Sequence, residues 1–461
     1  MVAATARGKG WAMVGVLERT TEGQIAAALR ARLEARTATI GIIGLGYAGL
    51  PLAVGFAEAG FVVIGVDLRA DRRAAIAAGH SYVDDITDAA LAPLVRSGRL
   101  RATADYAALR DADAITICVP TPLSKTKAPD PSAIIAAIAQ LAPHLRLGQL
   151  VVLESTSYPG TTTELLQPAI EEQGLTIGSD VFLAFAPERV NPGDAQFTVQ
   201  NTPKLVGGVT PACRDLAAAL YAPIVGGVVT VSSPIVAETA KLLENTFRAV
   251  NVALVNELAL MCQKLGVDVW EVIDAAATKP FGFMPFRPGP GLGGHCIPIV
   301  PHYLAWKLKT LGYEARFIAL ADEVNSAMPA HVVSLVVDAL NDATPPKALR
   351  GARVLVLGVT YKPDVADTRE SPPVEVLELL RAKGADASYH DPLIPTVEVA
   401  GAVLECATLD EATLAAADCV VIATDHASYD WAWVARHARL IVDTRNATKG
   451  LAGATATVVK L

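Results

Sequence analysis

Short, nearly continuous apolar runs bounded by turn residues fall at 37–43, 62–66, 114–119, 150–153 and 181–186, and again at 352–357, before 388–392, at 419–423 and at 440–443. Runs of this length without polar alternation read as strands buried on both faces of a parallel sheet. The segments between them, such as 50–58 and 374–383, carry helical spacing, and Gly384 follows the second as a C-terminal stop. The middle of the chain differs. From 233 to 265 no proline after Pro234 and no glycine interrupts the pattern, and Val236, Ala240, Leu243, Phe247, Val250, Leu254 and Leu258 recur at helical spacing. So long a helix commonly joins two domains and offers a dimer surface. Further helical pattern covers 303–311 and 317–339, and the Asn-Asp-Ala-Thr-Pro-Pro run at 341–346 reads as a linker. The pattern predicts an α/β protein with four parts: a leader and short helix (1–36), an open α/β domain (37–230), a helical region (231–340) and a second open α/β domain (350–461).

Composition narrows the possibilities. At 461 residues the chain exceeds what one core supports. A formal charge of -8 argues against nucleic acid or an anionic membrane as the main partner. No apolar run reaches spanning length, and 1–20 lack the apolar core of a signal peptide. The six cysteines are scattered without a C-x-x-C pair, which suits reduced thiols in a cytoplasmic protein with no disulfide framework and no metal site.

Chemistry enters at Gly44-Leu45-Gly46-Tyr47-Ala48-Gly49, which lies between a strand and a helix and is followed after 18 residues by Asp67 at the end of the next strand. In that context G-x-G-x-x-G is a dinucleotide fingerprint. The first glycine permits the turn, the second admits the pyrophosphate and the third lets helix pack on strand. Asp67 would bind the ribose hydroxyls and repel a 2′-phosphate, so NAD is expected. The 37–230 region therefore reads as a Rossmann NAD-binding domain. The second α/β domain lacks such a motif, so it is not expected to bind another dinucleotide; its Lys362 and Arg369 are cations that suit phosphate, or equally a solvated surface pair.

Pro120-Thr121-Pro122, Glu154-Ser155-Thr156 and Pro187-Glu188-Arg189 end strands, where open α/β sheets bind ligands. Lys241 and Asn245 share a helix face, which suits either a site or a solvated surface. Gly289-Pro290-Gly291-Leu292-Gly293-Gly294-His295-Cys296 puts a thiol at the lip of a loop that can approach a bound molecule, although a Gly-rich turn before a buried structural cysteine has the same composition.

Taken together, Gly44–Gly49, Pro187-Glu188, Lys241 with Asn245, Gly293-Gly294-His295-Cys296 and Lys362-Pro363-Asp364 with Asp367-Thr368-Arg369-Glu370-Ser371 resemble the UDP-glucose/GDP-mannose dehydrogenase family, in the family's order. The run from Lys279 through Ile299 is similar to its UDP-N-acetylglucosamine 6-dehydrogenase branch. The resemblance implies an oxidoreductase, a homodimer or higher homo-oligomer, that turns the C6 alcohol of a UDP-sugar into a uronic acid with two NAD, serving surface polysaccharide synthesis. UDP-ManNAc and UDP-glucose are the alternative substrates. It implies Cys296 as the nucleophile that forms a thiohemiacetal and then a thioester, Lys241 and Asn245 at the C6 oxyanion, Glu188 in proton transfer and Thr156 positioning water. Tyr47, Thr121 and Thr156 would line the cofactor, and Arg287, Lys362, Arg369 and Gly293 the UDP-sugar, with the 350–461 domain binding UDP.

One position departs from the pattern. The family usually has an aspartate four residues after the cysteine, and here it is Val300, with His302 nearby and no acid before Glu314. Slower thioester hydrolysis, greater reliance on Glu188, or a non-catalytic UDP-sugar-binding homologue are the expectations this substitution raises.

Overall fold

The computed structural model describes residues 22–83, 85–124, 127–189, 198–294, 297–451, 453 and 455–461. The first sheet has eight strands in the order β3-β2-β1-β4-β5-β6-β7-β8. These are β1 Thr39–Ile43, β2 Val62–Val66, β3 Leu100–Thr103, β4 Ala114–Ile117, β5 Leu150–Leu153, β6 Phe182–Phe185, β7 Lys204–Gly208 and β8 Val228–Val231. Strands β1 to β6 pair parallel, β7 runs antiparallel to β6, and β8 is parallel to β7. Every residue of β4, β5 and β6 is buried, which is why their sequences read as unbroken apolar runs. β3 and β8, at the two edges, are short and partly exposed, and like β7 with its Lys204 and paired glycines they give no such signal.

A second, all-parallel sheet follows the order β10-β9-β13-β14-β15, with β9 Arg353–Leu357, β10 Asp386–His390, β13 Cys419–Ile422, β14 Leu440–Asp443 and β15 Thr457–Lys460. The hairpin β11 Thr396–Val399 and β12 Ala402–Glu405 stands apart from it. In both sheets the strand order reverses beside the first strand, and the crevice at the C-terminal ends there is where such folds take ligands.

Between the sheets runs the helix Pro234–Leu265, 32 residues long and closed by Gly266 in a left-handed conformation (φ 70°). It packs against Val300–Thr310 and Arg316–Asp342. One core is continuous from Val255, Trp270, Met328 and Val332 in the helices to Val354, Val376 and Tyr389 in the second α/β unit. The C-terminal sheet is thus seated on the central helices and does not hang from the linker.

The long helix turns Ala237, Glu238, Lys241, Leu242, Ala249 and Asn256 inward. Much of the apolar stripe that the sequence pattern picks out faces the other way: Val236, Leu243, Phe247 and Leu254 are exposed. No helix among the described residues is long and apolar enough to cross a membrane.

Candidate active site

The glycine turn after β1 has the geometry its spacing demands. Gly44 has φ +89°, and a Cβ there would lie 2.5 Å from the Cys118 carbonyl oxygen. A Cβ on Gly49 would lie 1.8 Å from the Gly44 carbonyl oxygen, so only glycine lets the helix Gly49–Glu58 start so close to the strand. Gly46 has only the tip of Arg72 near it, which leaves its backbone open on one side. The helix has no side-chain cap and no acid in its first turn, so its N–H groups face that space, as an anion-binding terminus requires. Asp67, only 6% exposed, accepts from the Leu45 N–H at 2.9 Å and the Arg69 N–H at 2.8 Å and pairs with Arg72 at 3.3 Å. Arg69 is taken up by Asp71. These residues fit NAD.

At the neighbouring strand ends, Thr121 Oγ1 donates to the Thr156 carbonyl at 2.6 Å and ties the two cofactor-side loops together. Glu154 is buried, with one oxygen accepting from the Tyr221 hydroxyl at 2.5 Å and the other from Lys204 at 3.0 Å. Glu188 accepts from the Arg189 N–H at 2.7 Å and lies 3.6 Å from Lys204. Arg189 in turn reaches Glu244 on the long helix at 2.7 Å.

The long helix contributes Lys241, buried at 9% exposure, and one turn later Asn245, whose Nδ2 is buried with no hydrogen-bond partner among the described residues. Three residues before Lys241, buried Glu238 accepts from the Gly160 and Thr162 N–H groups (2.6 and 2.9 Å) and from Thr162 Oγ1 (2.7 Å). That grip holds the loop carrying Thr156 against the helix carrying Lys241, and burial raises the Glu238 pKa. Farther along, fully buried Asn256 donates to Asn325 at 2.9 Å and accepts from the Gly289 N–H at 3.0 Å, while Asn325 donates to the Ala249 carbonyl at 3.1 Å. Lys204, Glu238, Asn256 and Asn325 carried no motif in the sequence. Only Glu238, on the Lys241 face, had a spacing that could have marked it.

Cys296 and His295 lie outside the described residues, and the loop leading to them packs on the C-terminal domain. A Cβ on Gly291 would sit 3.0 Å from Pro372, one on Gly293 2.7 Å from both the Glu370 carbonyl oxygen and Tyr361, and one on Gly294 2.8 Å from the Tyr361 ring. Gly291 and Gly294 have φ +140° and +93°. The close approach that these glycines permit is therefore to the C-terminal domain itself. The Gly294 N–H donates to the Arg369 carbonyl at 3.2 Å. Past the cysteine, Tyr303 donates its hydroxyl to the Thr121 carbonyl. The segment holding Cys296 is thus tied to the cofactor side at one end and to the C-terminal domain at the other.

Val300 is buried in an apolar cluster with Tyr158, Leu242 and Tyr303. His302 pairs with Asp322 at 3.4 Å, and Lys127 reaches the same carboxylate at 2.6 Å. The hydrogen bond with His302 is the main cause that holds the Asp322 carboxyl down at about 2, with Lys127 adding to it against burial.

The three cations expected at the substrate have different settings. Arg287 pairs with Asp274 at 2.5 Å, which Lys449 also reaches at 2.7 Å. Arg369 pairs with Asp367 at 2.6 Å, and its guanidinium lies 5.6 Å over the Tyr47 ring, bringing the C-terminal domain onto the NAD turn. Lys362 is half-buried in the loop after β9, where its carbonyl accepts from Thr360 Oγ1 at 2.9 Å. A cavity of about 830 Å³ opens between the three parts, lined among others by Lys127, Thr246, Ile297, His302, Asp322 and Glu375. Lys241, Asn245, Glu188 and Thr156 do not line it.

Three domain profiles of one family match this chain: the UDP-glucose/GDP-mannose dehydrogenase NAD-binding domain over 38–225, the central domain over 235–327 and the UDP-binding domain over 355–450. The chain is 37% identical over 357 residues to a UDP-N-acetyl-D-glucosamine 6-dehydrogenase of Pseudomonas aeruginosa, covering 77% of this chain and 83% of that one. It is 35% identical over 420 residues to a UDP-N-acetyl-D-mannosamine dehydrogenase of Pyrococcus horikoshii, covering 89% and 96%. The solved structure of a UDP-D-ManNAc dehydrogenase from Pyrococcus horikoshii superposes with a TM-score of 0.83 at 34% identity, covering 92% of this chain and 98% of that one.

Proposed function

This chain belongs to the UDP-glucose/GDP-mannose dehydrogenase family, as an NAD-dependent nucleotide-sugar dehydrogenase, and we propose that it oxidises UDP-N-acetylglucosamine at C6 to the uronic acid. The observation that carries the reading is the pairing of buried Lys241 with Asn245 one turn on, whose buried amide keeps a donor free of protein partners among the described residues. Two buried nitrogen donors on one helix face suit an oxygen that gains negative charge during the reaction.

NAD, held by the Gly44–Gly49 turn and Asp67, supplies the hydride acceptor in both oxidations. Lys241 and Asn245 donate to the C6 oxygen, Glu188 takes its proton and Thr156 holds water beside them. The Cys296 thiolate adds to the aldehyde carbon to give a thiohemiacetal. Loss of its C–H as hydride leaves a thioester, which water cleaves to the acid and free thiol. Arg287, Lys362 and Arg369 hold the UDP diphosphate, and Gly293 seats the loop against Glu370 and Tyr361 of the C-terminal domain. With Val300 in an apolar cluster, hydrolysis leans on Glu188 and is the slower half of the cycle. The outward stripe Val236, Leu243, Phe247 and Leu254 is the dimer face. The product serves surface polysaccharide synthesis in the cytoplasm.

The test is NADH formed per sugar with UDP-N-acetylglucosamine, its manno epimer and UDP-glucose. About two per sugar, fastest with the gluco epimer, is expected. A faster manno epimer reassigns the substrate, and no NADH with any of them leaves a UDP-sugar-binding protein. Cys296→Ser should stop acid formation.

A further inference from the structure

Lys204 opens β7 with its side chain 6% exposed, and a buried ammonium persists only where anions compensate its lost hydration. Two carboxylates do so here. Glu154 Oε2 lies 3.0 Å from Nζ and Glu188 Oε2 lies 3.6 Å from it, on residues that are far apart in sequence. The two are not equivalent. Glu154 is 2% exposed and its other oxygen is held by the Tyr221 hydroxyl, whose ring also lies 4.9 Å below Nζ. Glu188 is 25% exposed at the rim, with Oε1 held by the Arg189 N–H. One cation thus spans an interior carboxylate and one at the partly exposed rim.

We propose that Lys204 is a positioning residue that orients the Glu188 carboxylate at the site and keeps it ionised, with Glu154 as the interior counter-ion that keeps Lys204 charged. This rests on Glu188 being the proton-transfer group. An opposite charge at such a distance favours the ionised carboxylate by about 1–3 pH units, whereas two bare carboxylates would compete for one proton. Burial works against the Lys204 charge, yet Glu154 and Glu188 outweigh it and its pKa lies above the ordinary lysine value. Burial lifts Glu154 above the ordinary carboxylate range despite Lys204. Among the described residues, three other groups lie beside the cluster. Arg189 is engaged by Glu244 and by the Pro203 carbonyl, and burial pushes the Tyr221 hydroxyl and the Cys118 thiol well up, leaving both neutral.

The proposal is tested on the full-length enzyme by the pH profile of kcat/KM with UDP-N-acetylglucosamine. Lys204→Met alone strands a buried carboxylate, so the informative variant is Lys204→Met with Glu154→Gln, which removes the interior pair together. Its acid limb is expected to move up by about one pH unit, and activity should recover at alkaline pH. Lys204→Arg should keep the wild-type limb. Glu154→Gln alone leaves Lys204 wholly to Glu188 and should move the limb to lower pH, an opposite shift that a merely structural ion pair would not produce. Unmoved limbs in the folded double variant, or in Glu154→Gln should the double variant not fold, overturn the proposal. Glu188→Gln is run beside them: if it keeps wild-type kcat/KM, the reading of Glu188 has failed and takes the proposal with it. If it is inactive while the other limbs stay still, only the role of Lys204 has failed.

Discussion

The N–H of Gly294 donates to the carbonyl oxygen of Arg369 across 3.2 Å, joining the loop that precedes Cys296 to the C-terminal domain. With Tyr303 bound to Thr121 on the other side, the cysteine segment spans two domains. The residues on either side of it are therefore placed by how those domains pack as well as by their own backbone.

That dependence gives a prediction about glycines. Gly293→Ala brings a Cβ within 2.7 Å of the Glu370 carbonyl oxygen and of Tyr361, and Gly294→Ala adds an unfavourable φ of +93°. Each is expected to lower kcat by about 100-fold, since displacing a reacting group by about 1 Å costs that much. Gly55→Ala, mid-helix with open space around it, should instead stabilise by about 0.5–1 kcal/mol. Steady-state kinetics and urea unfolding of the three variants check this, and wild-type kcat in Gly293→Ala would refute it.

Asn256 links the long helix, Arg316–Asp342 and Gly289 in one buried set of amides. Asn256→Ala leaves the Gly289 N–H and the Asn325 side-chain Oδ1 unpaired, at about 1–3 kcal/mol each. A loss of roughly 2–4 kcal/mol in urea unfolding is expected, and a loss below about 0.5 kcal/mol would mean that the two groups find other partners.

Val300→Asp should exchange stability for turnover. A carboxylate among Tyr158, Leu242 and Tyr303 is desolvated, so its folded pKa rises above the unfolded value. The resulting destabilisation, about 1–3 kcal/mol, is full when the group is ionised and shrinks as pH falls toward 5. If hydrolysis limits turnover, the same carboxylate speeds decay of the acyl-enzyme in single-turnover quench experiments. Unchanged decay would show that Val300 does not set the rate of hydrolysis.

The Asp322 carboxyl titrates at about 2 through its bond to His302 and then Lys127, below the ordinary value near 3.8. A depressed folded pKa contributes stability that is present above the unfolded value and lost as pH falls through the folded one. Wild type should therefore lose about 1 kcal/mol more than Asp322→Asn between about pH 4.5 and pH 2.5, after allowing for solvent screening. Parallel pH-dependent unfolding of the two proteins measures it, and equal losses would contradict the pairing.

Much of this protein was decided locally and could be read from the sequence. The buried strands β1, β2, β4, β5 and β6, the uninterrupted helix Pro234–Leu265 and the Gly44–Gly49 turn with Asp67 follow from apolar runs, spacing and missing side chains, which act over a few residues. Strands β3, β7 and β8 were not legible, because short, polar or glycine-bearing strands gain their stability from neighbours. The same limit applies to the site. That the glycines before Cys296 make room for Tyr361 and Pro372, and that Val236 and Leu243 face outward, depends on which surfaces meet. So does the meeting of Lys204 with Glu154, 50 residues away in sequence. A buried charge is stable only beside its counter-charge, and no local pattern records a partner that only the packed fold brings within 3 or 4 Å.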